Sequence, residues 1–161
     1  MITLLHHRPV LTAALAALAV AVLGGLATDL GPWYSSLIQP SWKPPDILFG
    51  PAWTVIYAFA AAAAVKAWGR APSTKYRQWL LGLFALNAAL NLLWSVLFFR
   101  LRRPDLALLE VGALWLSVAG LMVFMARRSP VSAALLLPYL AWVAFAGWLN
   151  RAVVTLNAPF D

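Results

Sequence analysis

Apolar residues run along the chain in five long blocks, about 9–28, 48–68, 78–99, 104–126 and 131–154, and the charged residues gather between them. Each block has about the 20 residues a helix needs to cross a hydrocarbon core, so the pattern predicts an all-α membrane protein, a five-transmembrane-helix bundle forming a single domain over residues 1–161. Three connections are short and polar: GRAPSTKYR, RLRRPD and ARRSP. The fourth, about residues 29–47, is longer and rich in Trp and Pro, and it runs into the second block as WYSSLIQPSWKPPDILFGPAWTVIY. Pro104 and Pro130 stand where a first helical turn has no use for the missing N–H, and Ser129 is placed to cap the last helix. Pro138 lies inside the fifth block, where it predicts a kink and a freed carbonyl near Ala134.

Composition supports the bilayer reading: of 161 residues, 63% are hydrophobic and 11% charged, against roughly a quarter charged in soluble domains. Repeated apolar blocks exclude a single secreted domain, and the first block reads as an anchor because its apolar part is long for a signal peptide and GLAT is a poor cleavage site. Zero cysteines remove disulfides, thiolate ligands and cysteine nucleophiles. The net charge of +7 comes from basic residues at block ends, a topology signature that does not suit nucleic acid. Arg8, Lys66, Arg70, Lys75, Arg77, Arg127 and Arg128 fall on one side of the membrane, and Lys43, Arg100, Arg102, Arg103 and Arg151 on the other. This bias favours a cytoplasmic N-terminus and puts the Trp/Pro loop, RLRRPD and the C-terminus together on the opposite face.

Polar groups at membrane depth are costly, so they mark candidate sites. Asn87, Asn91 and Trp94 share one face of the third helix, and Tyr139, Trp142, Ala146 and Asn150 form one stripe on the fifth. Trp53 and Tyr57 share a face of the second. The asparagines either bond between helices or contact a ligand, and both can hold at once. Small residues, Ala60 to Ala64 and Ala13, Ala17, Ala21 and Gly25, read as close helix packing, while Ala85 and Ala89 mark a candidate homodimer seam. Trp68 and Trp148 suit interfacial belts, and Glu110 reads as a snorkelling or Arg-paired end residue.

Aromatic faces with two amides and few charges suit a flat, apolar ligand held by stacking and a few hydrogen bonds. His6 and His7 precede the first helix, so imidazole ligation of a buried haem iron is not expected, and no metal site is predicted. Phosphate loops, paired carboxylates and Ser-His-Asp sets are missing. Any chemistry would fall to tryptophans and the ligand itself.

WYSSLIQPSWKPPDILFGPAWTVIY, LNAALNLLWSVLFF and LPYLAWVAFAGWLN resemble, in order, the three signature regions of the TspO/MBR family of tryptophan-rich sensory proteins related to the translocator protein (peripheral benzodiazepine receptor). The resemblance covers essentially the whole chain. It implies a five-helix, usually dimeric, multi-pass protein, in bacteria of the cell membrane, whose pocket opens toward the first loop. The implied ligands are porphyrins such as protoporphyrin IX, haem, synthetic benzodiazepine-type compounds and, in animals, sterols, with membrane lipids around them and no obligatory cofactor. By the same resemblance Tyr34 and Pro44 line the pocket from the loop, with Trp53, Tyr57, Asn87, Asn91, Trp142 and Ala146 from helices two, three and five. Trp94 and Tyr139 join them by helical phase. The animal cholesterol motif is not matched, because Arg151 follows Leu149-Asn150, and the reversed match from Arg70 through Tyr76 to Leu80 is loose. Gln39 stands where many relatives carry lysine.

Three functions follow as expectations. The first is a porphyrin-binding sensor, regulator or translocator; the second an enzyme that degrades protoporphyrin under light and oxygen through Trp53 and Trp142; the third a small-molecule transporter. WYSSLIQPSWKPP is expected to be a preformed lid over the pocket, with FGPAWTVIY starting its wall.

Overall fold

A computed structural model describes residues 2–160, with side chains from Pro9 onward, so His6 and His7 lie outside the described side chains. The chain forms α1 (Ile2–Ala27), a short α2 (Pro32–Ser36), α3 (Phe49–Gly69), α4 (Thr74–Ser95), α5 (Pro104–Ala126), α6 (Pro130–Leu135) and α7 (Leu137–Asn157). Among the described residues five spans are long and apolar enough to cross a membrane: Pro9–Ala27, Asp46–Gly69, Thr74–Arg100, Pro104–Ala126 and Pro130–Asn157.

The helix starts follow their local chemistry. Ser73 accepts from the Tyr76 N–H at 3.2 Å and caps α4, while prolines open α5, α6 and α7 in their first turns. Pro138 therefore does not kink a continuous helix: the fifth span is divided at Leu136, and the proline starts its second part. Ser129 stands at the N-cap position of α6 but does not cap it. Its hydroxyl is engaged instead by the Ser132 hydroxyl at 2.6 Å and by the Arg70 guanidinium at 3.1 Å, which ties the second and fifth spans together.

The third span ends differently from the prediction. Beyond Ser95 the helix widens into a π turn over Val96–Arg100, closed by the Leu101 N–H on the Val96 carbonyl at 2.9 Å. Arg102 then adopts a left-handed backbone, φ 54°, an uncommon conformation for a residue with a Cβ.

The core lies between α3, α5, α6 and α7, around fully buried Ala63, Val118, Met125 and Leu136. At Gly147 an added Cβ would stand 3.3 Å from Val111 Cγ1, so the missing side chain lets α7 approach α5 closely. Asn150 is 1% exposed, and in its bonded orientation its amide donates to the Pro104 carbonyl and accepts from the Leu108 N–H, both at 3.0 Å. It thus bridges into the first turn of α5. The alanine run of α3 divides between two environments: Ala63 is buried in the core, as is Ala67 one turn on, while Ala60, Ala61 and Ala64 face a cavity.

Both ends of the bundle are tied across spans. Arg100 donates to the Leu26 carbonyl at the end of α1, Arg102 lies over the Trp33 ring, and Asn157 holds Ile38. The long loop, the α4–α5 connection and the C-terminal end of α7 therefore share one end of the molecule, called here the loop end. The Arg70–Ser129 bond marks the other.

Glu110 does not pair with arginine, nor does it snorkel. It is 9% exposed and neither carboxylate oxygen has a hydrogen-bond partner. Two arginines that precede it in the chain are otherwise occupied: Arg103 holds Asp105 through two bonds of 2.8 and 2.6 Å, and Arg100 holds Leu26. An unpartnered charge at this depth costs a few kcal/mol. Glu110→Gln, which keeps the volume and removes the charge, is expected to raise Tm at pH 8 by several degrees, read by thermal unfolding in detergent. An unchanged Tm would show that the carboxyl costs the fold nothing.

Candidate functional site

Two cavities sit back to back inside the bundle. The one at the loop end has a volume of about 550 Å³, within the range of roughly 300–1,000 Å³ usual for small-molecule sites. Its roof is the long loop, contributing Tyr34, Gln39 and Asp46. Its walls are Ala21, Gly24 and Gly25 of α1, Phe49, Trp53 and Tyr57 of α3, Asn91 and Trp94 of α4, and Trp142 and Ala146 of α7.

The rings of this wall are ordered against one another. Trp53 stacks on Tyr57 with centroids 5.2 Å apart and stands edge-on to Trp142 at 6.4 Å. Phe49 meets Trp142 edge-on at 5.6 Å, and Trp94 stacks on Phe98 at 5.2 Å. The π turn has a consequence here: Phe98 and Phe99, neighbours in sequence, both line the cavity. Phe99 in turn meets Tyr34 at 5.7 Å and Phe98 meets Trp33 at 6.2 Å, so the turn also supports the roof.

The roof is fixed by specific bonds. Tyr34 donates to Asp46 Oδ1 at 2.8 Å, and Lys43 pairs with the same carboxylate. Burial and the acceptor at Asp46 together push the Tyr34 hydroxyl well above its ordinary pKa, so it stays a donor throughout the physiological range. Asn157 makes a reciprocal pair with the backbone of Ile38, accepting its N–H at 2.8 Å and donating to its carbonyl at 2.9 Å. Trp42 stacks on Trp148 with centroids 4.7 Å apart. The loop is thus held at both α3 and the end of α7, and its short helix α2 is opened by Pro32.

Below the cavity runs a chain of hydrogen bonds across four spans. Tyr57 donates to Asn91 Oδ1 at 2.8 Å, Asn91 Nδ2 to the Tyr139 hydroxyl at 3.2 Å, and Tyr139 to Asn87 Oδ1 at 3.1 Å. Asn87 Nδ2 then donates to Ser117 Oγ at 2.8 Å, and Ser117 to the Leu114 carbonyl at 2.7 Å. Every donor in it points the same way. This partition separates the loop-end cavity from a second, of about 570 Å³, lined by alanines of α1, α3 and α4 together with Trp68, Phe84, Asn87 and Tyr139.

Of the residues singled out in the sequence, Tyr34, Trp53, Tyr57, Asn91, Trp94, Trp142 and Ala146 come together around the loop-end cavity. Three do not. Pro44 lies outside it, because the Tyr34–Asp46–Lys43 contacts turn the loop so that Gln39 and Asp46 face inward. Asn87 and Tyr139 belong to the partition and face the second cavity. The asparagines do bond between helices, and Asn91 also faces the loop-end cavity. Ala85 lines the second cavity and Ala89 faces outward.

The structure adds weight to two residues. Gln39 Nε2 and Trp94 Nε1 are buried donors without a hydrogen-bond partner, and both residues line the loop-end cavity. Buried donors left unmet beside a cavity favour a ligand that brings acceptor oxygens to them. Among the described residues no group of three or more His, Cys, Asp or Glu could hold a metal ion.

Comparison with known proteins gives one consistent result. A sequence model of the TspO/MBR family matches residues 12–156. The "Tryptophan-rich protein TspO" of Chlorobaculum tepidum is 36% identical over 156 residues, covering 94% of this chain and 99% of that protein. The "Tryptophan-rich sensory protein" of Cereibacter sphaeroides is 34% identical over 125 residues, 78% of this chain and 77% of that one. The human "Translocator protein" is 35% identical over 122 residues, 75% and 72% respectively.

Proposed function

Because the chain belongs to the TspO/MBR family, whose members include proteins named for sensing and translocation, we propose that it is a membrane sensor or translocator of porphyrins and similar flat, largely apolar ligands. The observation that carries this reading is the loop-end cavity: about 550 Å³ walled by ring faces, with the unmet donors of Gln39 and Trp94 beside them. Ring faces take up a flat π-system by stacking, and the two N–H groups match peripheral carboxylates of a tetrapyrrole. The lid would slow exchange.

Titration of protoporphyrin IX against tryptophan fluorescence tests the reading. Saturable quenching is expected, weakened about tenfold in Trp142→Ala and less in Gln39→Ala, which loses one donor. Quenching that does not saturate, or equal affinity in wild type and Trp142→Ala, would remove it. Trp42→Ala leaves the cavity walls in place but unstacks the loop from Trp148. It is expected to speed ligand dissociation several-fold in stopped-flow with little change in Tm; an unchanged rate would make the loop a linker.

A second reading, light-dependent degradation of the bound pigment, is favoured by Trp53 and Trp142 standing 6.4 Å apart in the same wall. The pigment would be the sensitiser and dioxygen the oxidant. Illuminated complex should then lose pigment absorbance faster than a Trp53→Phe variant, and equal loss would leave binding alone.

A further inference from the structure

The second cavity is used by none of the functions above. It fills the half of the bundle away from the loop, between α1, α3 and α4, from the partition down to Trp68 and Pro9. Small side chains leave the space: Ala16, Ala64 and Ala88 from the three helices face it. Ala16 is itself exposed, so the space opens sideways on the outer surface of the bundle, where at this depth the surroundings are lipid chains. Apart from the partition and Thr12 its lining is apolar, so water has few partners there.

The mouth of this groove is basic. Trp68, at its rim, carries the Arg77 guanidinium 5.0 Å above its ring. Arg77 lies one turn before Leu80 and Leu81, which line the groove, and among the described residues it has no acidic partner. The chain ends and connections on this side carry seven Lys or Arg, from Arg8 to Arg128, and none of the five acidic residues of the sequence falls among them. An apolar slot at bilayer depth, open to lipid and ending under an unpaired arginine, has the layout of a lipid: chain inside, phosphate at the rim.

We propose that the groove between α1, α3 and α4 is a binding site for one acyl chain of an anionic phospholipid, whose phosphate is held by Arg77. The site does not depend on the ligand of the loop-end cavity.

The test is native mass spectrometry of the purified full chain in detergent, with phosphatidylglycerol or phosphatidylcholine of matched acyl chains. One phosphatidylglycerol per chain is expected to survive where phosphatidylcholine is lost. Arg77→Ala should weaken the anionic lipid about fivefold and remove its advantage over the zwitterionic one, as one basic residue near the surface contributes about 1 kcal/mol. Ala64→Phe, which fills the groove, should abolish the retained lipid. Ala16→Phe does the same from an exposed position and stands in if Ala64→Phe loses helicity by circular dichroism. Equal retention of the two lipids would overturn the proposal. So would lipid that survives both filling variants, or filling variants that change the oligomeric state and leave the lipid in place.

Discussion

Ala146→Phe is expected to weaken ligand binding about a hundredfold while leaving the bundle folded. Ala146 is half-buried on α7, one turn beyond Trp142, and faces the loop-end cavity. A phenyl ring there occupies the space a flat ligand would take. The rings opposite cannot withdraw, because Trp53 is packed against Tyr57, Tyr139 and Trp142 at once. Overpacking a fitted site costs about 1–3 kcal/mol, and the upper end corresponds to roughly a hundredfold in Kd. The added ring meets empty space in the unliganded protein, so Tm should move by no more than a few degrees. Fluorescence titration and thermal unfolding of one preparation check both. An unchanged Kd would place the ligand elsewhere in the molecule.

The second large effect concerns the partition. Asn91→Leu has nearly the same volume, yet it leaves the Tyr57 hydroxyl without its acceptor and the Tyr139 hydroxyl without its donor. Interhelical hydrogen bonds in membranes are worth about 0.6 kcal/mol on average, and an abandoned buried donor costs about 1–3 kcal/mol more. Destabilisation of about 2 kcal/mol is therefore expected for Asn91→Leu, seen as a lowered Tm or midpoint in denaturing detergent. Tyr139→Phe separates structure from binding, since Tyr139 belongs to the partition but does not line the loop-end cavity. It should lower Tm by a few degrees, an ordinary neutral hydrogen bond being worth about 1 kcal/mol, and leave ligand affinity within about twofold. Loss of affinity in Tyr139→Phe equal to that in Asn91→Leu would mean the ligand reads the whole chain of bonds.

The five spans were legible because the bilayer imposes one requirement, a long apolar helix, that a sequence states openly. First-turn prolines at 104 and 130 gave two of the starts within a residue. Six of the seven gathered site residues were legible too, because helical phase alone decides which side chains share a face; Tyr34, in the loop, came only with the family resemblance. Phase says nothing about depth, however. Asn87 and Asn91 share a face, yet the turn between them, about 5.4 Å of rise, leaves Asn91 facing the loop-end cavity and Asn87 the second one. The roles of Gln39, Asp46 and Pro44 depend on the path of the loop, which is set by Asn157 gripping Ile38 across 119 residues of sequence. The π turn that brings Phe98 and Phe99 to one cavity is a shift of one hydrogen bond, and VLFFR carries no mark of it. Ser129 illustrates the same limit: the N-cap position was read from its neighbours in sequence, but its hydroxyl is taken by Arg70 from another helix.

The order of groups in the partition bears on bioenergetics. A protein with a cavity in each half of the membrane is one flooded gap away from short-circuiting the proton gradient. Hopping along a row of hydroxyls or waters requires each member to take a proton on one side and release another. The two carboxamides interrupt that relay: Asn91 and Asn87 each hold a hydroxyl on either side through an oxygen that only accepts and a nitrogen that only donates. Water filling both cavities would still meet an insulating layer one side chain thick. The arrangement keeps two cavities deep in the membrane without opening a wire for protons between them.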